Sequence, residues 1–148
     1  MLPQKEAERL MKILKKINQP ELFQFPKPSG KAFLEIVSEN NREEFPTSVH
    51  RGEIEPMKAS YNMRYKSSDN IILYRLDINC TPHKNPDGEK VPSPHLHIYR
   101  EGSNADYAIP APGNLSQAND PCEALIDFLE YCKIMNVKAL AVQGDLFS

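Results

Sequence analysis

The part of the chain best equipped for chemistry near neutral pH is a short segment that holds three of its four histidines. These are His83, His95 and His97, and each offers an imidazole that can bind a metal ion or transfer a proton. The surrounding segment, residues 80–102, also contains four prolines and an Asp-Gly turn. Because prolines restrict the backbone, we expect the imidazoles to be held in defined positions. If the protein has an active site, the sequence places it here.

Two strand candidates, residues 71–78 and 94–100, determine which groups accompany the histidines. Side chains alternate between the two faces of a strand, so pairing of these segments separates apolar from polar residues. The apolar side chains then share a buried face: Leu76, Ile78, Leu96 and Ile98. The opposite face collects a cation, a carboxylate, two imidazoles and a phenol: Arg75, Asp77, His95, His97 and Tyr99. His83 can fold over this polar face from the loop between the strands.

Such a mixed polar set suits metal binding or general acid–base chemistry, and three interpretations stay open. In the first, His95 and His97 are ligands of a divalent metal ion such as zinc, manganese, iron or nickel. His83, Asp77 or Asp87 would complete that ligand set. In the second, no metal is involved, and the cluster acts on a phosphodiester through one imidazole that takes a proton and another that gives one. In the third, the imidazoles only hydrogen-bond the proline-rich loop to the sheet.

The residues expected to act on a ligand fall into two groups. The predicted catalytic residues are His83, His95, His97, Arg75 and Asp77, and the predicted substrate-binding residues are Tyr99, Arg100 and Lys84. Arg75 would bind a phosphate through two parallel hydrogen bonds. Cys80 lies three residues before His83 and offers a nucleophile, although a buried cysteine at a strand end is the favoured interpretation. Asp87 most simply belongs to a turn.

The bulk composition is typical of one globular domain covering residues 1–148. No apolar run approaches the roughly 20 residues that span a bilayer, and the N-terminus does not resemble a signal peptide. The three cysteines indicate reduced thiols, so we expect a cytoplasmic protein without a membrane partner. A net charge of −2 argues against a surface that binds nucleic acid as a whole. Phosphate-cradling glycine loops, nucleophile elbows and His-Glu-x-x-His motifs are absent from the sequence.

Helical periodicity predicts one helix near each end of the chain. The first begins at Pro3, continues through Leu14 and Ile17, and stops before Pro20. Its basic residues, Lys5, Arg9, Lys12 and Lys16, would form either a solvated face or a contact for phosphate or an acidic partner. The second runs from about Asp120 to Asn136, with Asp120 as N-cap. Its buried face would consist of Leu125, Phe128, Leu129 and Cys132.

Between the helices, short apolar stretches separated by turns predict strands. The candidates are residues 31–38, 44–50, 57–66, 71–78, 94–100 and 106–109, with a further apolar stretch at 139–142. Their short connections favour antiparallel neighbours. We therefore predict an α+β fold in which an antiparallel sheet of about five or six strands is flanked by an N-terminal and a C-terminal helix. Phe23 and Phe25, in a proline-rich connection, are expected to pack on the domain.

Two resemblances rest on the histidine segment. The patterns Arg-x-Asp, Pro-His-x-Asn-Pro-Asp-Gly and Pro-His-Leu-His-Ile-Tyr-Arg-Glu-Gly, with Phe128-x-x-Tyr131-Cys132 and the ending 143–147, resemble an uncharacterised family of small bacterial and prophage proteins. That family carries no assigned activity, and the resemblance implies a location in the bacterial cytoplasm or in a phage-infected host. The order Arg-x-Asp, Pro-His, Pro-His-x-His is more loosely similar to the TumE-type toxins of toxin–antitoxin pairs. The matching positions are Arg75, Asp77, His83, His95 and His97. This chain lacks the doubled histidines of those toxins and has Leu96 where they have lysine.

These observations support functions of different classes. The first is a ribonuclease-like toxin or phosphodiesterase that acts on RNA or a nucleotide and has an antitoxin as its protein partner. The second is a non-catalytic inhibitor from a phage or mobile element, which sequesters a nucleotide signal or blocks a host defence protein. A structural or regulatory partner within an operon is the third. No cofactor is specified by the sequence beyond the divalent metal of the first interpretation.

Overall fold

The computed structural model of the protein describes residues 1–18, 20, 22–67 and 69–144. The end of the family resemblance, residues 145–147, lies outside the described residues. The helices and strands, in chain order, are α1 (Gln4–Lys12), β1 (Lys15–Ile17), β2 (Leu22–Gln24), β3 (Lys31–Leu34), β4 (Ile36–Ser38), β5 (Thr47–Arg51), β6 (Ala59–Tyr65), β7 (Ile71–Ile78), β8 (His83–Lys84), β9 (Lys90–Val91), β10 (His95–Ile98), β11 (Ala108–Pro110), α2 (Pro121–Tyr131) and β12 (Ala141–Gln143). Two short 3-10 helices, Gly113–Gln117 and Val137–Ala139, flank α2.

A six-stranded sheet organises the fold, with the strand order β11-β10-β7-β6-β5-β3. Every neighbouring pair in it is antiparallel. This sheet and the two helices confirm the predicted α+β fold. Smaller two-stranded sheets join β1 to β4 and β8 to β9, and β12 pairs in parallel with β2. The long strands β6 and β7 lie at the centre, so a side chain on β7 has neighbours on both sides.

The apolar face of the sheet packs against α2, as the period-2 and helical patterns predicted. Leu76, Ile78 and Leu96 are completely buried, whereas Ile98 is half-buried. The four predicted residues of the α2 face, Leu125, Phe128, Leu129 and Cys132, are completely buried as well. The ring of Phe128 lies 5.9 Å from that of Tyr61 on β6. Because this face carries the core, the opposite face of the sheet is left for polar residues.

The two ends of α2 differ in how well the sequence predicted them. The Asp120 cap is confirmed, because its Oδ1 accepts hydrogen bonds from the backbone N–H groups of Cys122 (2.9 Å) and Glu123 (3.2 Å). The predicted end near Asn136 was wrong, since the helix ends at Tyr131. Lys133 has a positive φ of 72°, which no helix residue adopts. The Asn136 side chain instead hydrogen-bonds both backbone groups of Ile17, and this contact favours the earlier end.

The first helix is also shorter than predicted. It ends at Lys12, and the chain continues as β1, paired with β4, so Ile17 lies in a strand and Leu14 is half exposed. The cause is Lys15, whose buried ammonium donates hydrogen bonds to the carbonyl oxygens of Met11, Ile13 and Cys132. These bonds satisfy carbonyls at the helix end and fix the turn into the strand. The predicted four-residue basic stripe is therefore broken, because Lys16 belongs to β1.

The remaining differences concern strand ends. The candidate at 31–38 divides at Glu35 into β3, which pairs with β5, and β4, which pairs with β1. The C-terminal strand begins at Ala141, after a 3-10 helix that includes Ala139. Phe23 and Phe25 are buried, as expected. Among the described residues, no helix is long and apolar enough to cross a membrane.

Candidate functional site

The polar cluster is built by the pairing of β7 with β10. In this register His95 stands opposite Asp77, and His97 stands opposite Arg75. Leu76 stands opposite Leu96 and points to the other, buried face. The predicted adjacency of the two strands is confirmed, and the predicted sorting of their side chains holds as far as Ile98 but is wrong for Tyr99, which lies in the core. One face of this strand pair therefore presents two imidazoles, a carboxylate and a guanidinium.

Asp77 lies at the centre of the cluster. Its Oδ2 is 3.3 Å from Nε2 of His95 and 3.3 Å from Nε2 of His97, and its Oδ1 accepts a 3.0 Å hydrogen bond from Nε of Arg75. The residue is only 6% exposed. Burial alone would raise the pKa of Asp77, but the contributions of His95, His97 and Arg75 outweigh it and hold the pKa well below its usual range. The carboxylate is therefore ionised at neutral pH.

His97 has a defined hydrogen on one ring nitrogen. Its Nδ1 lies 2.8 Å from the carbonyl oxygen of Ala105, which can only accept a hydrogen bond, so Nδ1 is protonated. Nε2 then faces Asp77 with either a lone pair or a second proton. Within the described part of the chain, this buried Nε2 has no hydrogen-bonding partner, and neither does Nδ1 of His95. Buried polar atoms without partners are uncommon and costly.

His83 completes the group of three imidazoles from the loop. Its ring centre lies 4.5 Å from that of His97 and 5.7 Å from that of His95. Nε2 of His83 is 2.8 Å from the carbonyl oxygen of Asp106, so this nitrogen carries a hydrogen. The loop therefore delivers the third imidazole, as the sequence predicted.

Asn85 holds this loop on the sheet. Its Oδ1 accepts a hydrogen bond from the backbone N–H of Ala108 at 2.8 Å, and its Nδ2 donates to the carbonyl oxygen of Ala108 at 3.0 Å. The asparagine is buried and lies two residues after His83. Sequence reasoning assigned the segment 85–88 to a turn and missed this role. A polar residue two positions after a site histidine in a proline-rich loop was the available signal.

The cluster borders a cavity of about 300 Å³. Four residues of the predicted site line it: Arg75, Asp77, His83 and His95. Other lining residues lie outside the predicted site, including His50, Arg51, Lys58 and Ser60. The strand register explains their presence, because His95, Asp77, Ser60 and His50 form one row across β10, β7, β6 and β5. A period-2 pattern of polar residues in β5 and β6 was the signal that could have identified this row. The lining contains three cationic residues and one carboxylate, so the cavity favours an anion.

Three predicted substrate-binding residues do not reach the cavity. Tyr99 is completely buried in the hydrophobic core, and its hydroxyl donates a 2.7 Å hydrogen bond to the carbonyl oxygen of Leu2. The alternation that placed Tyr99 beside His97 fails because β10 ends at Ile98. Arg100 lies over the ring of Tyr107, 4.2 Å from its centre. Lys84 is exposed on β8 and does not line the cavity.

Cys80 and Asp87 have the following positions. Cys80 is half-buried rather than buried, lines the cavity, and has its Sγ 3.9 Å from Nε2 of His95. Asp87 is exposed, and its Oδ1 accepts a hydrogen bond from the N–H of Glu89, which fits the turn interpretation.

Among the described residues, one group of side chains brings its potential ligand atoms close enough together for a metal ion. The group consists of Asp77, His95 and His97, and all of these atoms lie within 4.8 Å of one another.

Comparison with known protein families matches residues 2–134 to a family of unknown function, DUF6978. The match covers most of the chain, so the chain belongs to this family, in agreement with the expected uncharacterised family. No curated protein and no solved structure matches the chain. The function of this family is unknown, so the residues of the site are what indicate the chemistry of the protein.

Proposed function

We propose that the cavity binds a phosphodiester and that the protein cleaves it, as a ribonuclease-like enzyme of the toxin–antitoxin type. The observation that carries this proposal is the convergence of Arg75, His83 and His95 on one cavity. Phosphate recognition needs cations, and proton transfer near pH 7 needs imidazoles. Both kinds of group line the same 300 Å³ space.

Cationic side chains from β7, from β5 and from the loop before β6 supply the phosphate-binding part of the cavity. The Arg75 side chain is 43% exposed, and only its Nε is engaged by Asp77, which leaves its terminal nitrogens directed away from that contact. Lys58 is exposed at the cavity wall. Arg51 is buried and donates to the carbonyl oxygens of Pro56 and Pro26, so it serves mainly to hold the wall in place. Arg75 and Lys58 are therefore the groups assigned to phosphate.

Three imidazoles line the cavity, and the neighbouring pair His83 and His95, with ring centres 5.7 Å apart, is assigned to proton transfer. In RNA cleavage of this kind, one imidazole takes the proton of a ribose 2′-hydroxyl while the 2′-oxygen attacks phosphorus. The bond from phosphorus to the 5′-oxygen breaks, and the second imidazole protonates that oxygen. The products are a 2′,3′-cyclic phosphate and a 5′-hydroxyl. Asp77 keeps His95 oriented and balances its positive charge.

Incubation of the purified protein with an end-labelled RNA of mixed sequence tests this function. We expect fragments that end in a cyclic phosphate, and a rate about 100-fold lower for His83→Ala and Arg75→Ala. Arg42→Ala removes an exposed cation outside the cavity and should cleave at the parent rate. Equal cleavage by the parent and both cavity variants would assign the activity to a contaminant and reject the proposal.

One observation favours a second function, which is sequestration without cleavage. His95 and His97 are only 2% and 3% exposed, and a proton-transfer group must reach its ligand. A phage or mobile-element inhibitor would use the same cationic cavity to hold a nucleotide signal, or the surface around it to block a host defence protein. Saturable nucleotide binding by the parent, lost in Arg75→Ala and accompanied by no RNA cleavage, supports this second function over the first.

A further inference from the structure

We propose that Asp77, His95 and His97 form a binding site for one divalent transition-metal ion, with zinc as the best-matched ion. The proposal goes beyond the phosphodiester function and is tested without a nucleotide. If the metal is bound, His95 is a ligand and not a proton-transfer group; His83 then remains for one proton transfer, and a water on the metal would supply the other. Three features support the site: the spacing of the ligand atoms, the groups behind them, and a buried nitrogen that has no hydrogen-bonding partner among the described residues.

Two of the three spacings between the ligand atoms match a tetrahedral ion, and all three atoms lie within 4.8 Å of one another. Nε2 of His95 and Nε2 of His97 each lie 3.3 Å from Oδ2 of Asp77. Zinc binds nitrogen and oxygen ligands at roughly 2.0–2.2 Å, which separates neighbouring ligand atoms by about 3.3–3.6 Å in a tetrahedron. The three side chains are placed by two paired strands, so the arrangement exists without large rearrangement.

Two of the three ligands, His97 and Asp77, have the hydrogen-bonding partners that metal sites require, whereas Nδ1 of His95 has none among the described residues. The carbonyl oxygen of Ala105 accepts the hydrogen of Nδ1 of His97, and this contact directs the opposite nitrogen toward Asp77. Arg75 donates to Asp77 and fixes the plane of its carboxylate. Metal-binding histidines and carboxylates usually have such partners, because these determine the tautomer and the ring orientation.

The strongest observation is the state of His97 Nε2. The residue is 3% exposed, and this nitrogen has no hydrogen-bonding partner among the described residues, although an ionised carboxylate oxygen lies 3.3 Å away. A neutral imidazole would direct its lone pair at that negative oxygen, which is repulsive. A cation between the two atoms removes the repulsion and satisfies both. A bound metal ion is such a cation, and a second proton on His97 is the competing explanation.

Three protein ligands leave one coordination position of a tetrahedral ion open. Zinc sites with three protein ligands and an open position are typical of catalysis, whereas structural sites have four protein ligands. His95 and Asp77 line the cavity, so a phosphate bound there would lie close to the proposed ion. Cys80 is the alternative fourth ligand, because its Sγ lies 3.9 Å from Nε2 of His95.

Competition between the metal-free protein and a chromophoric chelator, titrated with zinc, measures the proposed site. The parent should bind one equivalent, and His97→Gln and Asp77→Asn should weaken binding by at least about 100-fold. His50→Ala is the matched control, because it removes the histidine at the far end of the same strand row and should keep full binding. A parent without stoichiometric binding, or His97→Gln and Asp77→Asn with parent affinity, would overturn the site and favour a protonated His97.

Cobalt spectroscopy on the parent keeps the proposal testable if either ligand variant fails to fold. Cobalt in a site of nitrogen and oxygen ligands should show visible bands of low-coordinate geometry without thiolate-to-metal charge transfer. Bands of six-coordinate cobalt, or strong charge transfer abolished by Cys80→Ser, would contradict the proposed ligand set.

Discussion

His95 lies directly opposite Asp77 in the pairing of β10 with β7, and its Nε2 is 3.3 Å from the carboxylate. The same oxygen faces His97, so one buried negative charge serves two imidazoles. Removal of that charge would leave both rings and Arg75 without their common partner. The contact between His95 and Asp77 therefore stabilises this face of the sheet and also positions the side chains that could do chemistry there.

The loop that carries His83 should depend on Asn85. Asn85→Ala removes two buried hydrogen bonds to Ala108, and we expect it to lower the free energy of unfolding by about 2 kcal/mol. Hydrogen exchange of the amides in residues 83–91 should become faster than in the parent. Asn114→Ala replaces an exposed asparagine and is the control. Unchanged exchange in Asn85→Ala would show that the loop is held by other contacts.

The N-cap of α2 provides a test of the fold. Asp120→Ala removes the acceptor for two backbone N–H groups and should cost about 1 kcal/mol. Thermal unfolding of this variant, compared with Glu130→Ala on the exposed side of the same helix, isolates the cap from a general charge effect. Equal melting temperatures for Asp120→Ala and the parent would contradict the capping role.

Several parts of the site could be predicted from sequence because they depend on local rules. Alternation along β7 and β10 placed Asp77 and His95 on one face without any long-range information. The same rule misplaced Tyr99, since it assumes that the strand continues beyond Ile98, where β10 ends. Alternation describes a strand only up to its end, and the sequence does not mark that end.

The rest of the cavity depends on contacts between distant segments. His50 and Ser60 reach the row of Asp77 through the register of β5, β6 and β7, which pairwise packing determines and local sequence does not. The end of α1 is a similar case. The ammonium of Lys15 is held by the carbonyl of Cys132, a residue 117 positions later, and a helical period in Leu14 and Ile17 could not reveal this.

Lys15 also predicts a pH dependence of stability. Burial lowers its pKa to about 8, whereas an unfolded lysine has a pKa of roughly 10.4. Between these values the unfolded state binds more protons, so this residue makes the free energy of unfolding rise as the pH rises. Relative to Lys15→Met, the parent should gain up to roughly 3 kcal/mol between pH 7.5 and 10.5.

Urea unfolding of the parent and of Lys15→Met at a series of pH values measures this difference. Other titrating groups are common to both proteins and largely cancel in the comparison. A stability difference that stays constant across the range would show that Lys15 has an ordinary pKa in the folded protein.

Arg75 should act through the geometry of its guanidinium as well as through its charge. Arg75→Lys keeps the charge but loses the planar fork that binds Asp77 and a phosphate at the same time. We expect it to bind nucleotide about 10-fold more weakly than the parent, and Arg75→Ala to bind still more weakly. Titration calorimetry with a mononucleotide measures both variants. Full affinity in Arg75→Lys would indicate that charge alone is sufficient.

The most direct test of the proposed ligand site is to follow the histidine ring protons by NMR while 3′-uridylate is added to the parent. If the cavity binds phosphate, the resonances of His83 and His95 shift in a saturable manner, and these shifts disappear in Arg75→Ala. If both resonances stay in place at saturating nucleotide, or if no saturation is reached, the cavity is not a phosphate site and the proposed function is wrong.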